Sequence, residues 1–127
     1  MAKARPLSPH LQVYRLPLPA LLSITHRMTG IILATGTVLL SVWLVALAYG
    51  PESFALAMMV IAHPLGQLVL FGYSAALFYH MCNGIRHLNW DRGAGLEIER
   101  VYRSGKITIM CTFLLTAALW GVIYGLN

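Results

Sequence analysis

The sequence predicts an all-α integral membrane protein with three transmembrane helices. Three observations carry that prediction. Only 10% of the 127 residues are charged and 58% are apolar, where a soluble domain carries about a quarter charged residues. Three long runs contain no Asp, Glu, Lys or Arg. The nine Lys and Arg residues all lie outside those runs and, given the connectivity, on one side of a membrane.

The first run, Gly30 to Tyr49, is twenty residues long. The second, Ser53 to Ile85, is interrupted by His63, Pro64 and His80, and the third is Ile107 to Leu126. About 20 apolar residues cross a ~30 Å hydrocarbon core as a helix, and an open backbone finds no partner in lipid. The spans are therefore placed near 25–49, 61–86 and 105–126, in a single membrane-anchor domain. Gly50-Pro51 marks a tight first turn and Asp91-Arg92-Gly93-Ala94-Gly95 the second connection. His63-Pro64 is expected to cap the start of the second span.

Charge gives the direction. Lys3, Arg5, Arg15 and Arg27 precede or open the first span, and Arg86, Arg92, Arg100, Arg103 and Lys106 lie between the second and third. The first loop carries only Glu52. The positive-inside rule then makes the N-terminus cytoplasmic. The small-x-small stretch Val45-Ala46-Leu47-Ala48 follows too long an apolar run, and too long a lead-in, for a cleaved signal peptide. The start MAKARPLSPH has no Arg- and Ser-rich presequence. A multi-pass protein of a bacterial inner membrane is expected.

The same composition excludes a nucleic-acid reader. Two cysteines 29 residues apart exclude a disulfide scaffold, a CxxC zinc site and a covalent CxxCH haem site. No phosphate loop, nucleophile elbow or metalloprotease motif is present. Cys82 and Cys111 read as small buried apolar residues. Trp43, Tyr49, Trp120 and Tyr124 fall where interface anchors belong. Ala117, Gly121 and Gly125 form a small-residue packing stripe.

Two groups of residues need a reason to be in or beside lipid. His80 lies inside the second span, where an ionisable group is costly and faces protein or a cofactor. Gly72, Ala76, His80 and Gly84 share a helix face at i+4 spacing, which leaves a slot for a flat macrocycle such as haem. The alternative is a close helix contact with His80 hydrogen-bonded across it. His87 is seven residues further, ~10 Å along the same helix, a suitable reach for a haem propionate. A six-coordinate b haem needs a second axial ligand, but His63 is ~25 Å from His80 along the helix, while His26 and His87 sit at the boundary. That ligand would come from another subunit. The second group is Ser23, His26 and Arg27 at the entry of the first span. These donors suit a quinone carbonyl, and Arg27 or His26 suits a propionate; a snorkelling arginine beside a satisfied serine is the alternative.

Three blocks stand out together: RPLSPHLQVYR at 5–15, SITHRMTG at 23–30 and HMCNGIRHLNWDRG at 80–93. In order and spacing they resemble the cytochrome b556 membrane-anchor family of succinate dehydrogenase, complex II. The resemblance implies an enzyme in which a flavoprotein subunit oxidises succinate and an iron–sulfur subunit carries electrons. Two small membrane chains hold one haem b and build the ubiquinone site. It implies His80 as a haem axial ligand, Ser23 and Arg27 at the quinone, and His26 and His87 near the haem propionates, which the charge of Arg27 also suits. This chain would then be a subunit that does not itself bind succinate. Rival readings are the anchor of a fumarate reductase working with a low-potential quinol, a haem-free structural anchor, and a stand-alone small cytochrome.

Overall fold

A computed structural model describes residues 15–126; the positions of Lys3 and Arg5 and all but the last residue of the first block lie outside the described residues. Four helices follow in order: α1 Leu18–Tyr49, α2 Pro51–Ala62, α3 Pro64–Asp91 and α4 Ile98–Gly125. Three of them, α1, α3 and α4, are long and apolar enough to cross a membrane. No strand occurs among the described residues. The all-α, three-span class is what the sequence predicts.

The helix ends follow from backbone chemistry. Pro17 caps α1 in an extended conformation and a proline stands in its first turn, where a missing N–H costs nothing and φ is already set. The helix thus starts at Leu18 rather than 25, because apolar runs mark the membrane-embedded part and not the helix end. Gly50, at φ 116°, separates α1 from α2, a conformation that favours glycine. Residues 51–62 form a short apolar helix of their own, where the sequence reading expected a turn followed by the second span. The break is His63, held extended at φ −63°, ψ 143°, as the residue before a proline is biased to be. Its Nδ1 accepts from the Leu65 N–H (3.2 Å), so the expected cap is present. Gly66 closes the corner: a Cβ there would stand 2.3 Å from the Val60 carbonyl oxygen. α4 begins at Ile98, not 105, behind an extended Glu97.

α3 is the central helix, packed along both α4 and α1. The interior is inverted relative to a soluble bundle. Leu22 and Ala76 are the buried apolar residues among those described, whereas Asn83, Arg86, Thr108 and Thr116 are buried polar ones. The large apolar side chains point outward along every helix. Lipid tails are as apolar as leucine, so helices in a membrane are joined by small residues and hydrogen bonds rather than by hiding hydrocarbon. Gly105 shows the first device: a Cβ there would approach Leu22 Cδ1 to 2.7 Å. Hydrogen bonds from Tyr73 to Thr35 (2.8 Å) and from Trp120 Nε1 to Ser74 Oγ (2.9 Å) show the second. Trp120 falls late in α4 as expected, with its indole N–H spent on α3.

Candidate functional site: a histidine stack and a buried arginine

The sequence-predicted histidines come together where the start of α1 meets the second half of α3. His26 and His80 stack, ring centroids 4.0 Å apart and 15° from parallel. His87 tilts against the other side of the cluster, 5.2 Å from His26, and meets Trp90 edge-on at 5.0 Å. The i and i+7 positions of α3 thus bracket one ring from α1.

The polar contacts of His80 fix its tautomer. Nδ1 lies 3.2 Å from the His26 carbonyl oxygen and 3.3 Å from Thr29 Oγ1. A carbonyl only accepts, so Nδ1 carries the proton and Nε2 keeps its lone pair. The packing alternative for His80, a hydrogen bond across a helix interface, is therefore met by one nitrogen. The other is left in the form that binds a metal. The ring seats against bare backbone: a Cβ on Gly30 would stand 3.2 Å from His80 Cε1.

The fit to a haem can be tested on this geometry. His80 offers a neutral Nε2. His26 Nδ1 is buried with no hydrogen-bond partner, and such a nitrogen normally has one. On the His80 face of α3, nothing lies within 4 Å of where a Cβ would stand on Gly72 or Gly84. Ala76, between them, is buried against protein, so the slot is open at its ends and closed at its middle. The donor set and the two open positions fit an imidazole-ligated group. No group of three or more His, Cys, Asp or Glu capable of holding a bare metal ion occurs among the described residues.

Ser23 and Arg27 lie on one face of α1 at i and i+4, flanking His26. Ser23 is half-buried and Arg27 exposed. Neither side chain has a hydrogen-bond partner among the described residues, which leaves a hydroxyl and a guanidinium as donors on the outer side of the stack.

The sequence reading missed what holds this region. Its place at the end of an apolar run marks Arg86 as a boundary charge, but it is 5% exposed and turned inward. Its Nε donates to Ser104 Oγ (2.9 Å), Nη2 to the Val101 carbonyl (3.0 Å) and Nη1 to Asn83 Oδ1 (3.2 Å). Its guanidinium carbon lies 4.1 Å over the Trp90 ring, a cation–π arrangement. Asn83, wholly buried, passes the chain of bonds to α1 through Nδ2 and the Leu22 carbonyl (3.3 Å). Tyr79 donates to the same carbonyl (2.9 Å) and is bonded to Thr25 Oγ1. The signal was in the sequence: Tyr79, Asn83 and Arg86 repeat at helical spacing at the end of a charge-free run, and intramembrane polar groups face protein.

Residues 1–119 match a family model described as the succinate dehydrogenase/fumarate reductase transmembrane subunit. The chain is 50% identical over 111 residues to the succinate dehydrogenase cytochrome b556 subunit of Paracoccus denitrificans, covering 87% of this chain and 85% of that one. It is 42% identical over 116 residues to the same-named subunit of Rickettsia felis, covering 91% and 90%. It is 38% identical over 117 residues to the mitochondrial succinate dehydrogenase cytochrome b560 subunit of Homo sapiens, covering 91% and 69%. Three apolar spans and a match running from the first residue to deep within α4 agree: the chain belongs to the family of succinate dehydrogenase/fumarate reductase transmembrane subunits.

Proposed function

We propose that this chain is a membrane-anchor subunit of a succinate:ubiquinone oxidoreductase. It holds haem b through His80, together with a second small anchor subunit, and supplies Ser23 and Arg27 to the ubiquinone-reduction site. The observation that carries the reading is the hydrogen bond from His80 Nδ1 to the His26 carbonyl, which leaves Nε2 as a ligand. The names of the relatives favour the succinate-oxidising direction.

A flavoprotein and an iron–sulfur subunit complete the enzyme on the cytoplasmic side of a bacterial inner membrane, where the basic end of this chain faces. Succinate binds elsewhere; this chain serves the electron acceptor. When bound, the haem supplies a one-electron store beside the quinone. His80 orients its ligating nitrogen, with α1 fixing the ring. His26 and His87 stand beside it as donors toward the propionates, and Arg27 adds a fixed positive charge. Ubiquinone takes up two electrons and two protons. The Arg27 N–H groups stabilise negative charge growing on its oxygen in the manner of an oxyanion donor, and the Ser23 hydroxyl orients the carbonyl. A second ligand for the haem would come from the second anchor subunit: His26 is stacked on His80 at 4.0 Å, which leaves no room for a flat macrocycle between the two rings.

The test is the dithionite-reduced minus oxidised spectrum of the tagged chain, extracted in mild detergent with whatever accompanies it. The expected result is a bis-histidine b-type signal in stoichiometry with a flavoprotein, an iron–sulfur protein and one small membrane chain. The same partners without the signal would make His80 a packing residue and refute the haem assignment.

A further inference from the structure

We propose that Thr29 is a positioning residue for His80, setting the hydrogen bonding at Nδ1 and through it the electron-donating strength of Nε2. The proposal rests on the reading of His80 as a haem ligand and assigns a role to a residue outside that ligand set.

Thr29 lies one turn after His26 on α1. Its hydroxyl donates to the His26 carbonyl oxygen at 2.9 Å. That uses its one proton, so the oxygen meets His80 Nδ1, 3.3 Å away, with a lone pair. The Nδ1–H of His80 therefore faces two acceptors on α1, the His26 carbonyl and Thr29 Oγ1. Both oxygens are fixed. The carbonyl belongs to a helix, and the threonine side chain is stiff about χ1 and tied to that carbonyl. Gly30 completes the seat. A side chain there would press on His80 Cε1, already 3.2 Å from where a Cβ would stand, and would lift the ring from both oxygens. Threonine supplies the acceptor and glycine the room, and neither role needs the other groups at the site.

The consequence is electronic. A partner that accepts from the non-ligating nitrogen fixes the tautomer, orients the ring and raises the basicity of the ligating nitrogen. A more basic ligand favours the ferric over the ferrous state. Thr29→Val keeps the shape and the χ1 restraint but removes the oxygen. It leaves Nδ1–H with the carbonyl alone and makes the surroundings less polar. Both changes favour the ferrous state.

The experiment is a potentiometric titration of the haem in the intact detergent-solubilised complex, wild type against Thr29→Val, Thr29→Ser and His80→Ala. In Thr29→Val the haem is retained and the reduction equilibrium moves toward the ferrous form by about threefold. That is a rise of roughly 30 mV, at 59 mV per tenfold for one electron. Thr29→Ser, which keeps the oxygen, returns the midpoint to within a few mV of wild type. Where Thr29→Val fails to assemble, Thr29→Ala carries the same expectation. A haem at wild-type potential in the oxygen-free variant, or a shift that serine does not rescue, overturns the proposal while the ligand reading stands. A b-type signal that survives His80→Ala overturns the ligand reading and this proposal with it.

Discussion

Asn83→Ala is the substitution with the widest expected reach, because one wholly buried amide joins two helices to a buried cation. Two hydrogen bonds go: Nδ2 to the Leu22 carbonyl (3.3 Å) and Arg86 Nη1 to Oδ1 (3.2 Å). A hydrogen bond between membrane helices contributes ~0.6 kcal/mol on average and ~1.7 at most. The Leu22 carbonyl keeps Tyr79 as a donor, so the acceptor side is not orphaned. Arg86 Nη1 is, and a buried charged donor without its partner costs about 1–3 kcal/mol. The vacated amide volume, roughly 30 Å³, adds ~0.7 kcal/mol at ~24 cal/mol per Å³. The sum is about 2–5 kcal/mol. Tyr79→Phe serves as the internal standard, since it removes one hydroxyl and strands nothing; with its bonds to the Leu22 carbonyl and to Thr25 both lost it should cost about 1–3 kcal/mol. The assay is reversible unfolding of the chain in mixed micelles by SDS titration, followed by tryptophan emission; Trp90, under the Arg86 guanidinium, reports the region directly. A cost for Asn83→Ala no larger than that for Tyr79→Phe would refute the claim that the arginine network holds α1 to α3 and α4.

Arg27→Ala is expected to impair quinone reduction severalfold while leaving succinate oxidation by a soluble dye largely intact; equal loss of both activities would make Arg27 an assembly residue. Gly30→Val is expected to lower haem stoichiometry in the purified complex, because its Cβ would start 3.2 Å from His80 Cε1 and the branches would project further. Gly105→Ala is expected to destabilise the chain by about 1–3 kcal/mol less the ~1 kcal/mol gained in helix propensity. Its Cβ would meet Leu22 Cδ1 at 2.7 Å, and Leu22 is itself buried; an unchanged SDS midpoint would show that this contact yields freely.

The spans, their one-sided charge and the singular position of His80 were legible because each rests on one-dimensional quantities: run length, charge placement, spacing. The His63-Pro64 cap was legible for the same reason, being a dipeptide effect. α2 was not. Its residues are as apolar as the span that follows, so the run from Ser53 to Ile85 has no compositional edge, and short apolar runs cannot be assigned by periodicity alone. The inward turn of Arg86 was hidden for a different reason. A cation at the end of an apolar run reads equally as a snorkelling side chain, and what decides is the presence of Ser104 and the Val101 carbonyl on another helix. Thr29 was hidden because a helical threonine ordinarily bonds back to its own turn, as this one does, and only the arrival of His80 gives its lone pair a second use.

The inverted interior explains why the candidate site lies where it does. With Leu22 and Ala76 the only buried apolar residues among those described, apolar burial does little to hold α1 in register with α3. Polar contacts do that, and apart from the Tyr73–Thr35 bond they gather at the end where α1 begins, α3 finishes and α4 starts: Tyr79 and Asn83 on the Leu22 carbonyl, with Arg86 behind Asn83, and His80 on the His26 carbonyl one turn further along α1. Ser23 lies between those two fastenings on the same helix, with His26 at the second and Arg27 next to it. A donor that must meet a small carbonyl gains from being rigid, since geometry set before the substrate arrives need not be ordered afterwards. The structural knot and the candidate chemistry therefore occupy one end of the bundle because the first positions the second. Substitutions in the knot should disturb the midpoint potential and quinone reduction together, whereas exposed apolar positions toward the other end of the bundle should tolerate exchange among apolar residues.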